Sequence, residues 1–464
     1  MKNIALDVST PSEPMQCGDP TTAFTSRYAA ARPLEFQPAL SKRNHQVFRY
    51  PAKFHPPIAG KLIEMFSHPG DTVLDPFCGS GTLMVEAATV GRHSIGIDVD
   101  PLATMVAEAK TCACDLQAVE TAAERFRLWL NGSAIVDAER YGSLQDDVDE
   151  ACFKTGSRDL DAFIPHLPRL HHWFRRRVVL QLASIRREIE AESNEDAIRF
   201  LRLCFASIIR NSSNADPVPV SGLEVTSHML AKEKLGRSID PWTLMRRAID
   251  RSLIATREFL AERARNVTCE VITGDARDIQ ASVDRKVDAV ITSPPYLVAV
   301  DYYRRHTLEM YWLGLTSGRV DRLGLMTRYI GRDRVGLRNM PEEADHAKSV
   351  ADRWLPRFAG VRPERERAFR HYCDGMARSL ASMSQVVTPG GPIVIVAGDV
   401  RFCGERVSML ELMKDLAGDA LSIADHLWYP IINRYMSYAR HNDADIAADH
   451  VIVFRGTTTS KERG

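Results

Sequence analysis

The chain has 464 residues, 45% of them hydrophobic, enough to bury a large core arranged as two or three domains or as one domain with insertions. Its 60 basic and 60 acidic residues cancel, so bulk charge does not announce a nucleic-acid partner and any such surface has to be local. No signal-peptide pattern, no apolar run of membrane-spanning length and nine cysteines without a Cys-x-x-Cys pair lead us to expect a cytoplasmic protein without a bound metal; Cys112-Ala113-Cys114 lacks the spacing of a structural zinc site.

Residues 1–40 carry scattered Pro, Ser and Thr with no sustained period and read as a tail or an irregular wrap. Residues 41–110 then alternate as an open parallel sheet does. Helix PIAGKLIEMF, strand DTVLDPF, a glycine turn, helix GTLMVEAATV, strand HSIGIDV and helix PLATMVAEAK follow in order. Across 111–265 the alternation gives way to a large helical insertion, in which VVLQLASIRREIEAE, AIRFLRLCFASIIR and PWTLMRRAIDRSLIATREFLAERA place apolar residues at three and four spacing. From 266 to 464 the sheet pattern resumes with CEVITGD and VDAVITS and is interrupted by an arginine-rich helical stretch at about 312–385. It continues in TPGGPIVIVAGDV, where Pro-Gly-Gly feeds a β-branched run. LSIADHLWYP and DHVIVFRG end the chain's pattern as two strands, read as an antiparallel pair closing one edge. The predicted class is α/β, a mostly parallel twisted sheet with an antiparallel edge and a large helical insertion.

Two stretches carry chemistry. In VLDPFCGSGTLMVEAA a strand ends in the turn Gly79-Ser80-Gly81, where glycine lets the backbone approach a ligand. Asp98 ends the next strand, placed to accept both hydroxyls of a ribose. The dinucleotide fingerprint requires a third glycine where Met84 stands. Asp75 would repel a pyrophosphate and suits the ammonium of an amino-acid moiety, which points to S-adenosylmethionine. In the second stretch, ITSPPYLVAVDYYRRH, Ser293-Pro294-Pro295-Tyr296 stops a buried strand, because proline cannot continue a ladder.

These residues resemble the amino-methyltransferases of DNA, which modify exocyclic nitrogens of cytosine or adenine and include restriction-modification enzymes. The shared segments are PAKFHP, DPFCGSGT and SPPY, in the family's order. The resemblance is close over residues about 45–110 and 266–310 and does not account for the insertion. It implies a Rossmann-like methyltransferase fold and S-adenosylmethionine as cofactor. Asp75, Phe77, Gly79 and Gly81 would lie at its methionine part, Asp98 at the ribose and Asp275 at the adenine amino group, with Ser80 and Thr82 also binding the cofactor and Lys53, Phe54 and Pro56 closing over it. Taken singly, Lys53 reads as a solvated lysine, Phe54 as a core aromatic and Asp275 as a helix cap.

Ser293, Pro294, Pro295 and Tyr296 would be the catalytic corner. An enzyme acting on a base amine must extrude the nucleotide from the duplex. The Ser293 hydroxyl and Pro294 carbonyl would accept hydrogen bonds from that amine and favour a pyramidal nitrogen, while Tyr296 offers a ring for stacking. The bland alternative packs Tyr296 into the core. Serine at the head of the motif favours cytosine N4 over adenine N6, and the absence of a Pro-Cys dipeptide excludes carbon-5 chemistry. The implied partner is double-stranded DNA, with a cognate restriction endonuclease as a possible second; an RNA methyltransferase and a non-catalytic DNA-binding regulator are the rivals. Arg304 or Arg305 would reach a phosphate near the flipped base, whereas Arg175, Arg176 and Arg177 read as a solvated helix face. Ile208–Ser227 has the character of a DNA contact and equally of a linker between helices.

Overall fold

The computed structural model describes residues 30–36, 43–141, 158–217, 223–297, 302–333, 335, 342–431 and 448–457. Its centre is an eight-stranded sheet. The strands are β1 (Arg32–Pro33), β2 (Thr72–Asp75), β3 (His93–Asp98), β4 (Cys269–Thr273), β5 (Ala289–Thr292) and β6 (Ile393–Gly398). A separate hairpin, β7 (Val400–Phe402) and β8 (Glu405–Val407), precedes the sheet strands β9 (Leu421–Pro430) and β10 (Ala448–Gly456). The spatial order is β1-β9-β10-β6-β5-β2-β3-β4. All neighbours are parallel except β10, which runs antiparallel to both β6 and β9. This is the mostly parallel α/β sheet with an antiparallel strand near one edge that the alternation predicts. From β2 the chain builds outward through β3 and β4, then returns to the other side of β2 through β5 and β6. The reversal between β2 and β5 is the topological switch point, where open α/β sheets bind ligands beyond the strands' carboxyl ends.

Local chemistry sets the element ends. Helix α1 (Pro56–Phe66) starts on a proline, whose missing N–H costs nothing in a first turn. Helix α2 (Thr82–Thr89) follows the glycine turn, and α3 (Pro101–Thr111) is capped by Asp100, whose carboxylate accepts from Leu102 N at 2.9 Å. β6 is buried along its whole length, the reason it reads as an unbroken apolar run.

The insertion contributes α4 (Leu116–Tyr141), α5 (Arg176–Glu190), α6 (Glu195–Ile209) and α7 (Pro241–Glu262). Their apolar faces are continuous with α3: Leu102 and Val106 share one buried cluster with Val119, Phe126, Phe205 and Ile249. Two short helices after the Ser-Pro-Pro-Tyr corner, α8 (Tyr302–Arg305) and α9 (Thr307–Trp312), join the same cluster through Trp312. The Trp312 ring is fully buried and meets Phe174 and Phe205 edge-on, with centroids 5.6 and 6.3 Å away. The arginine-rich stretch ends in α10 (Pro363–Val386), which packs with β5 and β6 side chains in a second cluster.

One segment differs from its reading. Arg32–Pro33 pairs in parallel with Leu427–Trp428, and Leu34 is buried in a cluster with Leu427 and Tyr429. This part of the presumed tail forms the outermost strand, so the pair β9 and β10 does not itself close that edge. Residues 1–29 lie outside the described residues.

Because Trp312 joins the insertion helices to the sheet's flank in one core, Trp312→Ala should lower stability by about 3–5 kcal/mol. Urea unfolding followed by circular dichroism should show the loss in a single shifted transition; an unshifted sheet transition with early melting of helix alone would contradict a shared core.

Candidate active site

The glycine turn and the proline corner leave adjacent strands at the same end of the sheet. Thr292, the last residue of β5 and the neighbour of Ser293, donates from Oγ1 to Asp75 Oδ1 at 2.6 Å. The same oxygen accepts from Phe77 N at 3.1 Å. Asp75 is 3% exposed, and burial pushes its carboxyl up to about 7 against the pull of those two hydrogen bonds. After it the chain turns: Gly79 and Gly81 have φ of 50° and 74°, values an L side chain resists. A Cβ on Gly81 would stand 2.9 Å from Ala107 Cβ, so α3 packs directly on the turn. Ser80 is buried, and its carbonyl accepts from Lys110 Nζ at 2.6 Å. Burial, followed by the nearby charge of Lys53, lowers that ammonium to about 7. Thr82 opens α2, and Phe77 rests against the cluster under β5 and β6.

Asp98 ends β3 beside the turn. Its Oδ2 accepts from Gly79 N at 2.9 Å and its Oδ1 from Asp100 N at 2.9 Å. A carboxylate has about four lone-pair sites, so each oxygen retains capacity for a hydroxyl donor. Burial and then the Asp100 charge push this carboxyl up to about 7. Asp275, beyond β4, caps the turn that follows by accepting from Arg277 N at 3.1 Å. Arg277 grips it bidentately through Nε at 2.9 Å and Nη2 at 2.6 Å. Burial would raise this carboxyl, but Arg277 holds it below the usual range. The capping role is therefore what the structure displays for Asp275.

The PAKF segment divides. Lys53 is exposed and donates to the His45 carbonyl, Phe54 is half-buried against the α1 cluster, and Pro56 begins α1. The side chain that reaches the glycine turn is Tyr50: a Cβ on Gly79 would meet Tyr50 Cε1 at 3.2 Å. Its ring stacks on Tyr302 of α8 at 5.9 Å and 20°, and lies 5.0 Å from His306. His306 in turn bonds Asp100. Sequence reading missed Tyr50, Tyr302, His306 and Asp100; only the Asp-Pro start of α3 was a local signal for any of them.

At the corner, Pro294 is buried, and Ser293, Pro295 and Tyr296 are half-buried. The Tyr296 hydroxyl donates to Asp449 Oδ1 at 2.8 Å, and Tyr429 donates to Oδ2 of the same carboxylate at 2.9 Å. Burial and the Asp449 charge hold the Tyr296 phenol well above its usual value. The ring therefore leans on the core with its hydroxyl tethered to Asp449, as the packed reading of Tyr296 has it. Arg304 is exposed and lies 3.7 Å from Glu224. Arg305 is half-buried, with its carbonyl accepting from Arg210 Nη1 at 2.9 Å. Its side chain makes no hydrogen bond or ion pair among the described residues, and burial followed by the Arg210 charge lowers it to about 10. In the first arginine cluster, Arg175 pairs with Glu233 across the insertion, a structural contact. Residues 218–222 of the Ile208–Ser227 segment lie outside the described residues. Among the described residues, no His, Cys, Asp or Glu group is arranged to hold a metal, and no helix is long and apolar enough to cross a membrane.

Both hydrogen bonds to Asp75 end on one oxygen, which an amide retains. Asp75 has its folded value raised, so ionising it opposes folding as pH climbs toward about 7, and protonation below that relieves the penalty. Asp75→Asn should therefore stabilise the ligand-free protein at pH 8, by an amount on the order of 1–4 kcal/mol, and the gain should shrink as pH falls below about 7 and vanish only below about 4, where the unfolded carboxyl is protonated as well. Thermal melts of both proteins across that range read the difference; a gain independent of pH would contradict the assignment.

Residues 31–108 match the family model described as DNA methylase. The chain is 25% identical over 300 residues to the Type II methyltransferase M.BsoBI of Geobacillus stearothermophilus, covering 62% of this chain and 56% of that one. It is 25% identical over 285 residues to M.MvaI of Kocuria varians, covering 58% of each. A tRNA (guanine(10)-N2)-dimethyltransferase of Methanothermobacter thermautotrophicus is 32% identical over 78 residues, 17% of this chain and 23% of its own. The chain thus spans 56% and 58% of the two Type II relatives. It is similar to a DNA methylase model over residues 31–108 and to Type II methyltransferases across more than half of its length.

Proposed function

We propose that the protein transfers a methyl group from S-adenosylmethionine to the exocyclic N4 of a cytosine flipped out of double-stranded DNA, as a restriction-modification or orphan modification enzyme. The observation that carries this reading is the Thr292–Asp75 hydrogen bond, which ties the head of the Ser293–Tyr296 corner to the residue that opens the glycine turn. Donor and acceptor sites then share one cleft at the switch point. The chain's residues fit the cofactor: the Asp75 and Asp98 carboxylates stand at the two ends of the glycine turn, with lone pairs left for an ammonium and a ribose diol.

When bound, the cofactor supplies an electrophilic methyl on a sulfonium sulfur. The protein's part is positioning. Asp75 would hold the amino-acid ammonium and Asp98 the ribose, fixing the methyl toward the corner. The Tyr296 ring, held by Asp449, would stack on the extruded base, an interaction worth about 1–3 kcal/mol against a flipping cost of a few kcal/mol. The Ser293 hydroxyl and Pro294 carbonyl would accept from the amine and free its lone pair for in-line attack. The amine nitrogen would take the methyl that the sulfonium supplies, leaving S-adenosylhomocysteine, and would release one proton to solvent. Alignment of two bound reactants accounts for much of the acceleration. The Type II names of relatives that match more than half of the chain favour DNA, whereas the tRNA enzyme's match is confined to 17% of the chain.

DNA from a strain expressing the protein should contain N4-methylcytosine by nucleoside mass spectrometry; N6-methyladenine alone would reverse the base assignment, and label found only in RNA would overturn the substrate. Of the two arginines beyond the corner, Arg305 is the better phosphate ligand, since Arg304 already faces Glu224. Arg305→Gln should weaken binding to all sequences alike and lower the log–log salt slope by about 1. An unchanged slope in fluorescence anisotropy titrations would remove Arg305 from the interface.

A further inference from the structure

His306 lies beyond the catalytic corner, yet its side chain is buried against the cofactor half of the site. Its Nδ1 stands 2.7 Å from Asp100 Oδ2, with the two side chains 3% and 0% exposed. Asp100 caps α3 through its other oxygen and donates its own N–H to Asp98 Oδ1. Tyr50 and Tyr302 stack beside the imidazole, and Tyr50 also lies against Gly79, whose N–H donates to Asp98 Oδ2. One connected set of contacts, centred on the buried His306–Asp100 pair, therefore runs from the helices after the corner to both oxygens of Asp98.

We propose that His306 is a positioning residue for the adenosyl cofactor: clamped to Asp100 beneath Tyr50 and Tyr302, it locks the helices that follow the catalytic corner onto the strand end that presents Asp98 to the ribose. The proposal rests on the reading of Asp98 as the ribose carboxylate.

The clamp has an electrostatic consequence. The ionisable groups facing Asp98 are Asp75 on β2, Cys78 in the turn, Asp100 on its own strand end, Tyr50 from the segment before α1, and Tyr302 and His306 from beyond the corner. Among them Asp100 raises the Asp98 carboxyl and His306 lowers it, while His306 and the Leu102 N–H hold Asp100 down against burial, aided by the Tyr329 hydroxyl. A ribose diol donates to an ionised Asp98, so cofactor affinity falls as pH drops through about 7. The two partners of the clamp act on that midpoint with opposite sign. Removing the imidazole leaves the Asp100 charge unopposed and moves the midpoint up; neutralising Asp100 moves it down. A role in packing alone would displace neither.

The test is calorimetric titration of the full chain with S-adenosylhomocysteine between pH 5.5 and 8.5, for wild type, His306→Ala, His306→Asn and Asp100→Asn. At pH 8, His306→Ala should bind about tenfold more weakly, and His306→Asn, whose amide can still donate to Asp100, should recover most of the loss. Asparagine also caps helices well, so Asp100→Asn retains the start of α3. The acid midpoint should rise by roughly half a pH unit or more in His306→Ala and fall by a similar amount in Asp100→Asn. Asp75 contributes to the same limb in every protein, so differences between variants report on Asp98. Midpoints that coincide with wild type, or that move in one direction in both variants, would overturn the proposal. Wild-type protein that binds no S-adenosylhomocysteine would instead overturn the cofactor reading.

Discussion

The site depends on the adjacency of β2 and β5. Two parallel strands, distant in sequence, end side by side where the chain, having built outward through β3 and β4, returns to the other side of β2. Their junction is fixed by a buried hydroxyl, Thr292, bonded to a buried carboxylate, Asp75, across 217 positions of sequence. A buried carboxylate without such partners would be costly to retain, so this bond and the Phe77 N–H are what make Asp75 tolerable there. With it in place, the glycine turn and the proline corner leave neighbouring strands at the same end of the sheet. The intervening helical insertion can be long because it closes back on α3 and is packed there as part of the same core.

The cleft is also electrostatically unfinished. Asp75 and Asp98 are both pushed up to about 7, chiefly by burial, and Asp100 adds a third acidic group beside them. Lys110, on the protein side of the turn, is lowered to about 7 by its own burial and sits on the Ser80 carbonyl rather than on either carboxylate. Such a surface favours a cationic ligand with hydroxyl donors. A dinucleotide pyrophosphate would meet two carboxylates at the place where it requires amides. That agrees with the departure from the dinucleotide fingerprint at Met84, which is buried against Cys78 beneath the turn.

Much of the sheet was legible because its signals are local. The glycine turn between β2 and α2, the Pro-Gly-Gly entry to β6 and the period-3.6 faces of α5, α6 and α7 each report their own segment. The elements lie within a few residues of the patterns that announce them. The edge strand was not legible: Arg32–Pro33 is two residues in a segment without period, and what makes it a strand is the exposed backbone of β9. The site divides in the same way. Asp75, Gly79, Gly81 and the Ser293–Tyr296 corner are marked by sequence motifs, and the structure gathers them at one end of the sheet. Tyr50, Asp100, Tyr302 and His306 belong to no motif, and their meaning arises only when α8 and α9 fold against the end of β3. Asp275 is ambiguous in sequence for a physical reason: the same carboxylate that can accept from a ligand also serves as a cap, and Arg277 and the turn's N–H engage it here. Tyr296 is similar, since its hydroxyl tether to Asp449 spans 153 positions of sequence.

The central claim is that methyl donor and acceptor amine meet between the Gly79 turn and the Ser293 corner. It is tested most directly by a crystal structure of the protein with S-adenosylhomocysteine and a short DNA duplex containing its target. The account predicts the homocysteine sulfur facing the Pro294 carbonyl across a gap that one exocyclic nitrogen and one methyl group fill, with the extruded base against Tyr296. A sulfur turned away from the corner, or a base lodged elsewhere on the sheet, would contradict it.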